Sequence, residues 1–207
     1  MRRRRFDSPL SAGFAVPNLR PMSLSVAKGE FGSLRHLASR FVGSLWPGGP
    51  GVAGEAWAHQ WLKPAEVEVW DAMSGPDRRH AVTVARRVAT AFGNPDGAGV
   101  ARNLLAAALL HDVGKSSSGL GVLSRSAATA LAIPLGRRRM AAWKDGRSGW
   151  WQRAGRYAAH DEIGAGLLEA AGSDSLVVAW AREHHLPDSQ WSVEQSVGSV
   201  LKGADDD

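Results

Sequence analysis

The sequence predicts an all-α protein with one compact domain. Apolar residues recur at steps of three and four from residue 33 onward, which is the period of an α-helix with one buried face. The segments between these runs hold the glycines, prolines and capping residues that begin and end helices. A chain of 207 residues with 44% hydrophobic content is long enough to bury a sizeable core.

Residues 1–31 are predicted to form a disordered basic tail. Five arginines and one aspartate within residues 1–21 carry +4 of the net charge of +5, so the rest of the chain is nearly neutral. This segment has three prolines and no apolar period, and Met22 is an alternative start. A phosphate-binding arm is the other interpretation, but charge confined to the tail argues against a nucleic-acid partner for the folded part.

Residues 32–73 are predicted to form a helical cap over the helices that carry the site. An apolar run at helical spacing comes first and ends in a segment of prolines and glycines, residues 47–51. A short helical pair joined near Pro64 follows, with tryptophans on one side. We expect these rings in the core and not in an aromatic ligand cage; they are Trp57, Trp61 and Trp70.

The next helix has clear start signals in Ser74, in Pro76 of its first turn and in Asp77, whose charge suits the positive helix end. His80 lies on the apolar face of this helix and therefore points toward the core. The loop 93–97 ends the helix and returns the chain as an antiparallel neighbour.

That neighbour is the apolar run 103–110, which indicates a buried helix and is followed by His111 and Asp112. Burying such a pair costs several kcal/mol unless it is satisfied by partners or by a metal. One nitrogen and one carboxylate oxygen suit zinc, manganese or iron, and Gly114 lets the helix stop at once. A histidine satisfied by a backbone carbonyl is the alternative. The antiparallel arrangement places His80 at the same end as His111.

The segment that follows, residues 116–151, varies in composition along its length. The serine-rich segment 116–119 is flexible in composition, residues 120–133 look helical, and residues 137–151 combine three consecutive arginines with three tryptophans. The arginines are either a phosphate-binding cluster beside the site or a solvated face.

Three more histidines fall at predicted helix ends. His160 lies just before a helix for which Asp161 is the predicted N-cap. His184 and His185 end the following helix, and adjacent histidines can reach one site only where a helix stops, as the proline after them indicates.

The last predicted helix begins with the capping-box spacing of Ser192 and Gln195 and ends in three aspartates. Asp205 falls one turn after Leu201 on the apolar side, so this aspartate alone is expected to turn inward.

The absence of cysteine and the absence of long apolar runs limit the class of protein to which the chain can belong. The chain has no cysteine, so any metal must be held by histidine or carboxylate. No apolar run reaches the roughly 18 residues of a membrane span, and the arginine-rich start lacks the apolar region of a secretion signal. We therefore expect a cytoplasmic protein without membrane association.

The order of these residues resembles the HD-domain superfamily of metal-dependent phosphohydrolases. The similarity covers about residues 76–207 and rests on four segments, LLHDVGK, AAHDEIGAGLLEAAG, AREHH and LKGADDD. It implies an HD-domain-like helical bundle in which residues 74–207 form the metal-binding domain. The histidine set is like that of the HD-GYP phosphodiesterases, although the GYP signature itself is absent after His185.

The resemblance also implies one or two divalent transition metals per chain, such as manganese, iron or zinc, in two sites that share a carboxylate. The ligands of the first site would be His80, His111, Asp112 and Asp205. The ligands of the second would be His160, His184 and His185, with Asp112 as the bridge.

The activity that the resemblance implies is hydrolysis of a small phosphate ester, a nucleotide or a related compound, by water bound to a cation or to a pair of cations that Asp112 bridges. Lys115 matches the lysine of the HDxGK motif and would contact a non-bridging oxygen of the substrate. Two alternatives stay open. One is a di-iron oxygenase, because myo-inositol oxygenase also has a histidine-rich HD site. The other is a non-catalytic signalling or binding module.

Overall fold

The structure is a computed structural model that describes residues 48–206. These residues are helical and contain no strand, so the all-α prediction is confirmed for them. The basic tail and residues 32–47 of the predicted cap lie outside the described residues. Within the described chain, no helix is long and apolar enough to cross a bilayer. The cytoplasmic location stays a prediction.

The helices are named in chain order, from α1 to α11. Their bounds are α1 Gly51–His59, α2 Pro64–Asp71, α3 Gly75–Ala91, α4 Arg102–Leu110, α5 Val122–Leu135, α6 Arg137–Ala141, α7 Trp143–Gly146, α8 Gly149–Ala158, α9 His160–Ala170, α10 Ser175–Glu183 and α11 Gln195–Asp206. Two 3₁₀ helices lie between them, Val113–Ser118 and Asp188–Gln190.

Helix α4 is the centre of the main core. It packs between α3 and α10, and residues 104–110 are all buried. Because both sides of the helix are covered, its sequence is apolar all round and not in a single stripe. Helix α11 packs on α3, and α9 packs on α10. The ends of α4, α8 and α10 and the start of α9 therefore lie around one point of the bundle.

The α1–α2 pair shares this core. Trp57 and Trp70 are buried, and their indole N–H groups donate to Asp96 O at 3.0 Å and to Glu55 Oε2 at 2.8 Å. A buried indole with a hydrogen-bond partner is a packing residue, so the core prediction is confirmed for Trp57 and Trp70. Trp61 is only partly buried and packs against this core. The pair packs against the site-bearing helices, and its role as a separate cap stays a prediction.

Helices α5 to α8 build a second, smaller core around Ala128, Met140 and Ala154. Gly155 allows α8 to approach its neighbours, because a Cβ there would lie 2.4 Å from Lys144 N. The serine-rich segment before α5 is an ordered 3₁₀ helix and not an irregular linker. Each of its three hydroxyls donates to the carbonyl three residues earlier, at 2.6 to 2.7 Å, and these bonds supply the local order.

Two predicted helix caps are wrong, and tertiary partners explain both. Helix α9 begins at His160 itself, and Asp161 lies in its first turn with Oδ2 3.1 Å from Arg137 Nη2. Helix α11 begins at Gln195, while Ser192 donates from its backbone N–H and its hydroxyl to the buried carboxylate of Glu183, at 2.6 and 2.5 Å. In both cases a distant charged group satisfies the polar side chain that local spacing assigns to a helix end.

Candidate metal centre

Asp112 is the residue around which the candidate centre is built. It follows α4 directly, and its two oxygens face imidazoles from three segments of the chain. Oδ1 lies 3.4 Å from Nε2 of His160 and 3.5 Å from Nε2 of His184, and Oδ2 lies 3.4 Å from Nε2 of His111. All four residues are buried. One carboxylate is therefore shared by two groups of nitrogen atoms.

The first group combines α3, the end of α4 and α11. Ligand atoms of His80, His111 and Asp112 all lie within 4.8 Å of one another. Asp205 Oδ1 is 3.0 Å from His80 Nε2 and 3.7 Å from His111 Nε2, so the aspartate does turn inward. His80 near the start of α3 meets His111 at the end of α4, as expected for an antiparallel pair.

The second group combines the start of α9 with the end of α10. Ligand atoms of Asp112, His160, His184 and His185 also lie within 4.8 Å of one another. His185 Nε2 is 3.1 Å from His160 Nε2, and the rings of the two adjacent histidines are 4.0 Å apart at their centroids. Helix α10 ends at Glu183, which frees both histidines to turn to the same side. His185 is the exposed member of the group.

Helix ends also set the orientation of the three buried imidazoles. In each of them Nδ1 faces the backbone carbonyl three residues earlier, where the last turn of a helix leaves carbonyl groups without a helical partner. Because a carbonyl only accepts, Nδ1 carries a proton in each of them, and Nε2 is the nitrogen that faces the centre. The Nδ1 to oxygen distances are 2.9 Å for His111, 2.7 Å for His160 and 3.0 Å for His184.

Three buried atoms of the centre have no hydrogen-bond partner among the described residues. They are His111 Nε2, Asp112 Oδ1 and His184 Nε2. A buried polar atom without a partner costs about 1–3 kcal/mol, so three of them at one point call for a group that satisfies them together. A divalent cation does so, and the mixture of imidazole and carboxylate fits zinc, manganese or iron. The residues present therefore fit a metal ion.

Burial and nearby charges favour, for most of these groups, the deprotonated state that can bind a metal ion. Burial would raise the pKa of Asp112, but the charges of Lys115 and His111 hold it well below its usual range. Burial lowers the pKa of His160 and of His184, which keeps both imidazoles neutral. Burial alone would lower the pKa of His111 too, but the Asp112 carboxylate raises it to about 9. A cation in the first group therefore competes with a proton at His111.

Lys115 belongs to the centre and is not an open surface residue. Its ammonium group pairs with Asp112 Oδ2, and only 20% of the side chain is exposed. Burial would lower the pKa of Lys115, and the Asp112 carboxylate raises it. Its backbone carbonyl accepts from Arg125, which also binds Asp77 at the start of α3 through a hydrogen bond of 2.7 Å. The 3₁₀ helix that carries Lys115 is thereby tied to α3.

The three consecutive arginines differ in where their side chains lie. Arg138 and Arg139 are exposed, as in a solvated face. Arg137 turns toward the centre, donates from Nε to Ala158 O at 2.8 Å and lies beside His160. It lines a cavity of about 310 Å³ that adjoins the second group. The sequence does not distinguish Arg137 from the other two arginines, and it does not single out the neighbouring Tyr157 as a site residue. The position of Tyr157 one turn before His160 is the signal that could have identified it.

Fold and site together define an all-α protein with a buried histidine–aspartate cluster that can hold a metal ion. No protein-family model, curated protein or solved structure matches the chain.

Proposed function

We propose that the protein is a metal-dependent phosphohydrolase with an HD-type site. The observation that carries the proposal is the Asp112 carboxylate, which lies between two groups of inward-facing imidazoles. The motif resemblance supports it, because its two expected ligand sets correspond to the two groups described above, with Asp205 adjoining the first group through His80 and His111.

Two ligand groups allow one or two cations. His80, His111, Asp112 and Asp205 would hold the first; His160, His184 and His185, together with Asp112, would hold the second. When bound, the cations supply Lewis acidity toward phosphoryl oxygens and a water acidic enough to act as the nucleophile.

Binding the phosphoryl group and stabilising its charge would also involve cationic side chains of the protein itself. Lys115 and Arg137 both line the cavity beside the second group and bring positive charge to its lining. Charge-assisted hydrogen bonds from such groups hold non-bridging phosphoryl oxygens and stabilise the charge that develops on them. The substrate is accordingly a small phosphate ester.

Replacement of Lys115 tests this proposal. Protein reloaded with manganese, iron or zinc should release phosphate from a panel of phosphate monoesters and diesters. Lys115→Ala should keep the metal content and helical circular dichroism but lose about 100-fold in kcat, the usual effect of removing one such donor. Lys202→Ala is the matched control, because Lys202 pairs with Asp206 at 3.0 Å on α11, away from the lining of the cavity.

The outcomes separate the alternatives. Phosphate release at the wild-type rate by Lys115→Ala would remove the lysine from the mechanism. Oxygen consumption by the iron-loaded protein, without phosphate release by any metal form, would favour the di-iron oxygenase. Less than about a tenth of an equivalent of metal under every loading condition would contradict both enzymes.

A further inference from the structure

The side of helix α5 that faces water carries no charge. A surface helix normally has charged or polar residues on that side. The exposed residues of α5, which together form the α5 face, are Leu123, Ala127, Thr129, Ala130, Ile133 and Pro134. Only Thr129 is polar, and Leu123 and Ile133 are 69% and 82% exposed. The one charged residue of the helix, Arg125, binds Asp77, and its side chain is only 13% exposed.

The helices that pack with α5 concentrate the positive charge of the described chain. Residues 122–158, the α5–α8 unit, hold eight cationic side chains and one acidic side chain. The remaining described residues hold nine cationic and sixteen acidic side chains. The described chain is therefore neutral in sum, but the α5–α8 unit is basic and the rest is acidic. Charge divided in this way attracts an anionic partner to the basic side.

Five arginines of this unit are exposed, and among the described residues no carboxylate lies within ion-pair distance of them. Elsewhere on the surface arginines are paired, as Arg182 is with Glu169 at 2.8 Å. Arg147 instead lies over the ring of Trp151, which is itself 45% exposed, at 5.8 Å from the ring centroid. The five are Arg138, Arg139, Arg147, Arg153 and Arg156.

The N-terminal segment brings further positive charge within reach of the α5 face. Residues 1–47 hold eight cationic and two acidic side chains. The described chain begins at Gly48, whose carbonyl accepts from Arg79 in the first turns of α3. Arg125 of α5 binds the same end of α3, through Asp77 at 2.7 and 2.8 Å.

These features fit the surface of a membrane that contains anionic lipids. An apolar helix face flanked by basic side chains and tryptophan lies in the bilayer interface, with its apolar side chains among the acyl chains and its cations at the lipid phosphates. A nucleic acid would attract the arginines equally, but its phosphate backbone would not bury Leu123 and Ile133. The expectation of no membrane association depends on the lack of a spanning run, and lying on a bilayer does not require one.

We propose that the α5 face and the five exposed arginines dock the protein on a membrane surface that carries anionic lipids. The inference is independent of the proposed enzymatic activity, because none of these residues belongs to either ligand group.

Vesicle co-sedimentation of the full chain tests the docking. Vesicles with about one third phosphatidylserine should bind at least tenfold more tightly than vesicles of phosphatidylcholine alone, and the difference should shrink as the salt concentration rises.

Leu123→Gln combined with Ile133→Gln tests the apolar contribution without a change of charge. The double variant should lose about tenfold or more in affinity for the phosphatidylserine vesicles and keep the Tm of the wild type, because both side chains face water in the folded protein. Val52→Gln is the matched control, since Val52 is 89% exposed on α1, outside the α5–α8 unit. This variant should bind as the wild type does.

Arg138→Gln combined with Arg139→Gln tests the electrostatic contribution. The preference for phosphatidylserine vesicles should fall by about tenfold, since each basic residue near the surface contributes to it. Thr83→Glu combined with Thr90→Glu lowers the net charge by the same amount at exposed positions of α3 and should keep the preference.

Three results would overturn the proposal. The first is equal binding to both kinds of vesicle, or binding to neither. The second is wild-type binding by the Leu123 and Ile133 double variant. The third is another partner for the same residues: either a single-stranded oligonucleotide that needs Arg138 and Arg139, or a dimer in analytical ultracentrifugation that needs Leu123 and Ile133, without any vesicle binding.

Discussion

Replacement of Gly114 by alanine should separate the two segments that carry Asp112 and His160. A Cβ on Gly114 would lie 1.9 Å from His160 O and 2.6 Å from Gly164 N. These are backbone atoms, so no side-chain rotation can relieve the overlap. The 3₁₀ helix and α9 touch here because both residues at the contact, Gly114 and Gly164, lack side chains.

The size of the effect follows from these distances. Cβ atoms essentially never approach other heavy atoms within 3.0 Å, so the two segments must move apart by about 1 Å. Overpacking of this kind costs roughly 3 kcal/mol, which lowers the Tm of a chain of this length by about 6–12 °C. The same movement displaces His160 from Asp112 Oδ1, so the second ligand group should lose affinity for metal.

Thermal denaturation and elemental analysis of the purified variant measure both effects. Gly166→Ala is the matched control, since Gly166 is an exposed residue of α9, the other segment at this contact, and a Cβ added there would meet nothing within 4 Å. It should gain about 0.5–1 kcal/mol from the better helix propensity of alanine. A Gly114→Ala variant with wild-type Tm and metal content would refute the close approach of the two segments.

Two further predictions concern metal stoichiometry and acid stability. His184→Ala should lose about one metal per chain. Asp112→Ala should lose the metal of both groups, because the Asp112 carboxylate is shared by both. Elemental analysis that finds equal metal content in the two variants would contradict the shared carboxylate. The hydrogen bond from Lys63 and the charge of Arg102 lower the pKa of Asp174, so its stabilising contribution is present above about pH 4 and is lost as the pH falls through the folded-state value. The Tm difference between wild type and Asp174→Asn should therefore be constant from about pH 5 to 7 and shrink in stronger acid; a difference that grows on acidification would show the opposite sign.

The sequence predicts those parts of the site that depend on one helix or on one antiparallel pair of helices. The apolar run 103–110 correctly indicates a buried helix, and the end of that helix positions His111 and Asp112. The spacing of His80 from the start of α3 is enough to place it beside His111 once the two helices are taken as antiparallel. Metal binding by these residues stays a prediction.

The sequence does not predict features that depend on contacts between distant helices. The cavity is formed where α5, α6 and α8 meet, and no spacing within any one of them shows which face turns toward His160. The two wrong caps have the same origin. Local spacing favours a capping role for Asp161 and for Ser192, but Arg137 and Glu183 offer charged partners that only the folded chain brings near.

The contact of His80 with Asp205 joins residues that are 125 positions apart. A cation held there would tie α3 to α11 in a chain without a single cysteine, in the way that a disulfide ties distant segments of a secreted protein. Because the unfolded chain cannot assemble these ligands, the free energy of binding would add to the free energy of unfolding, by about 2.7 kcal/mol at a cation concentration 100 times the Kd. The melting temperature of the protein would then rise with the free cation concentration, and a chelator would act on it as a denaturant.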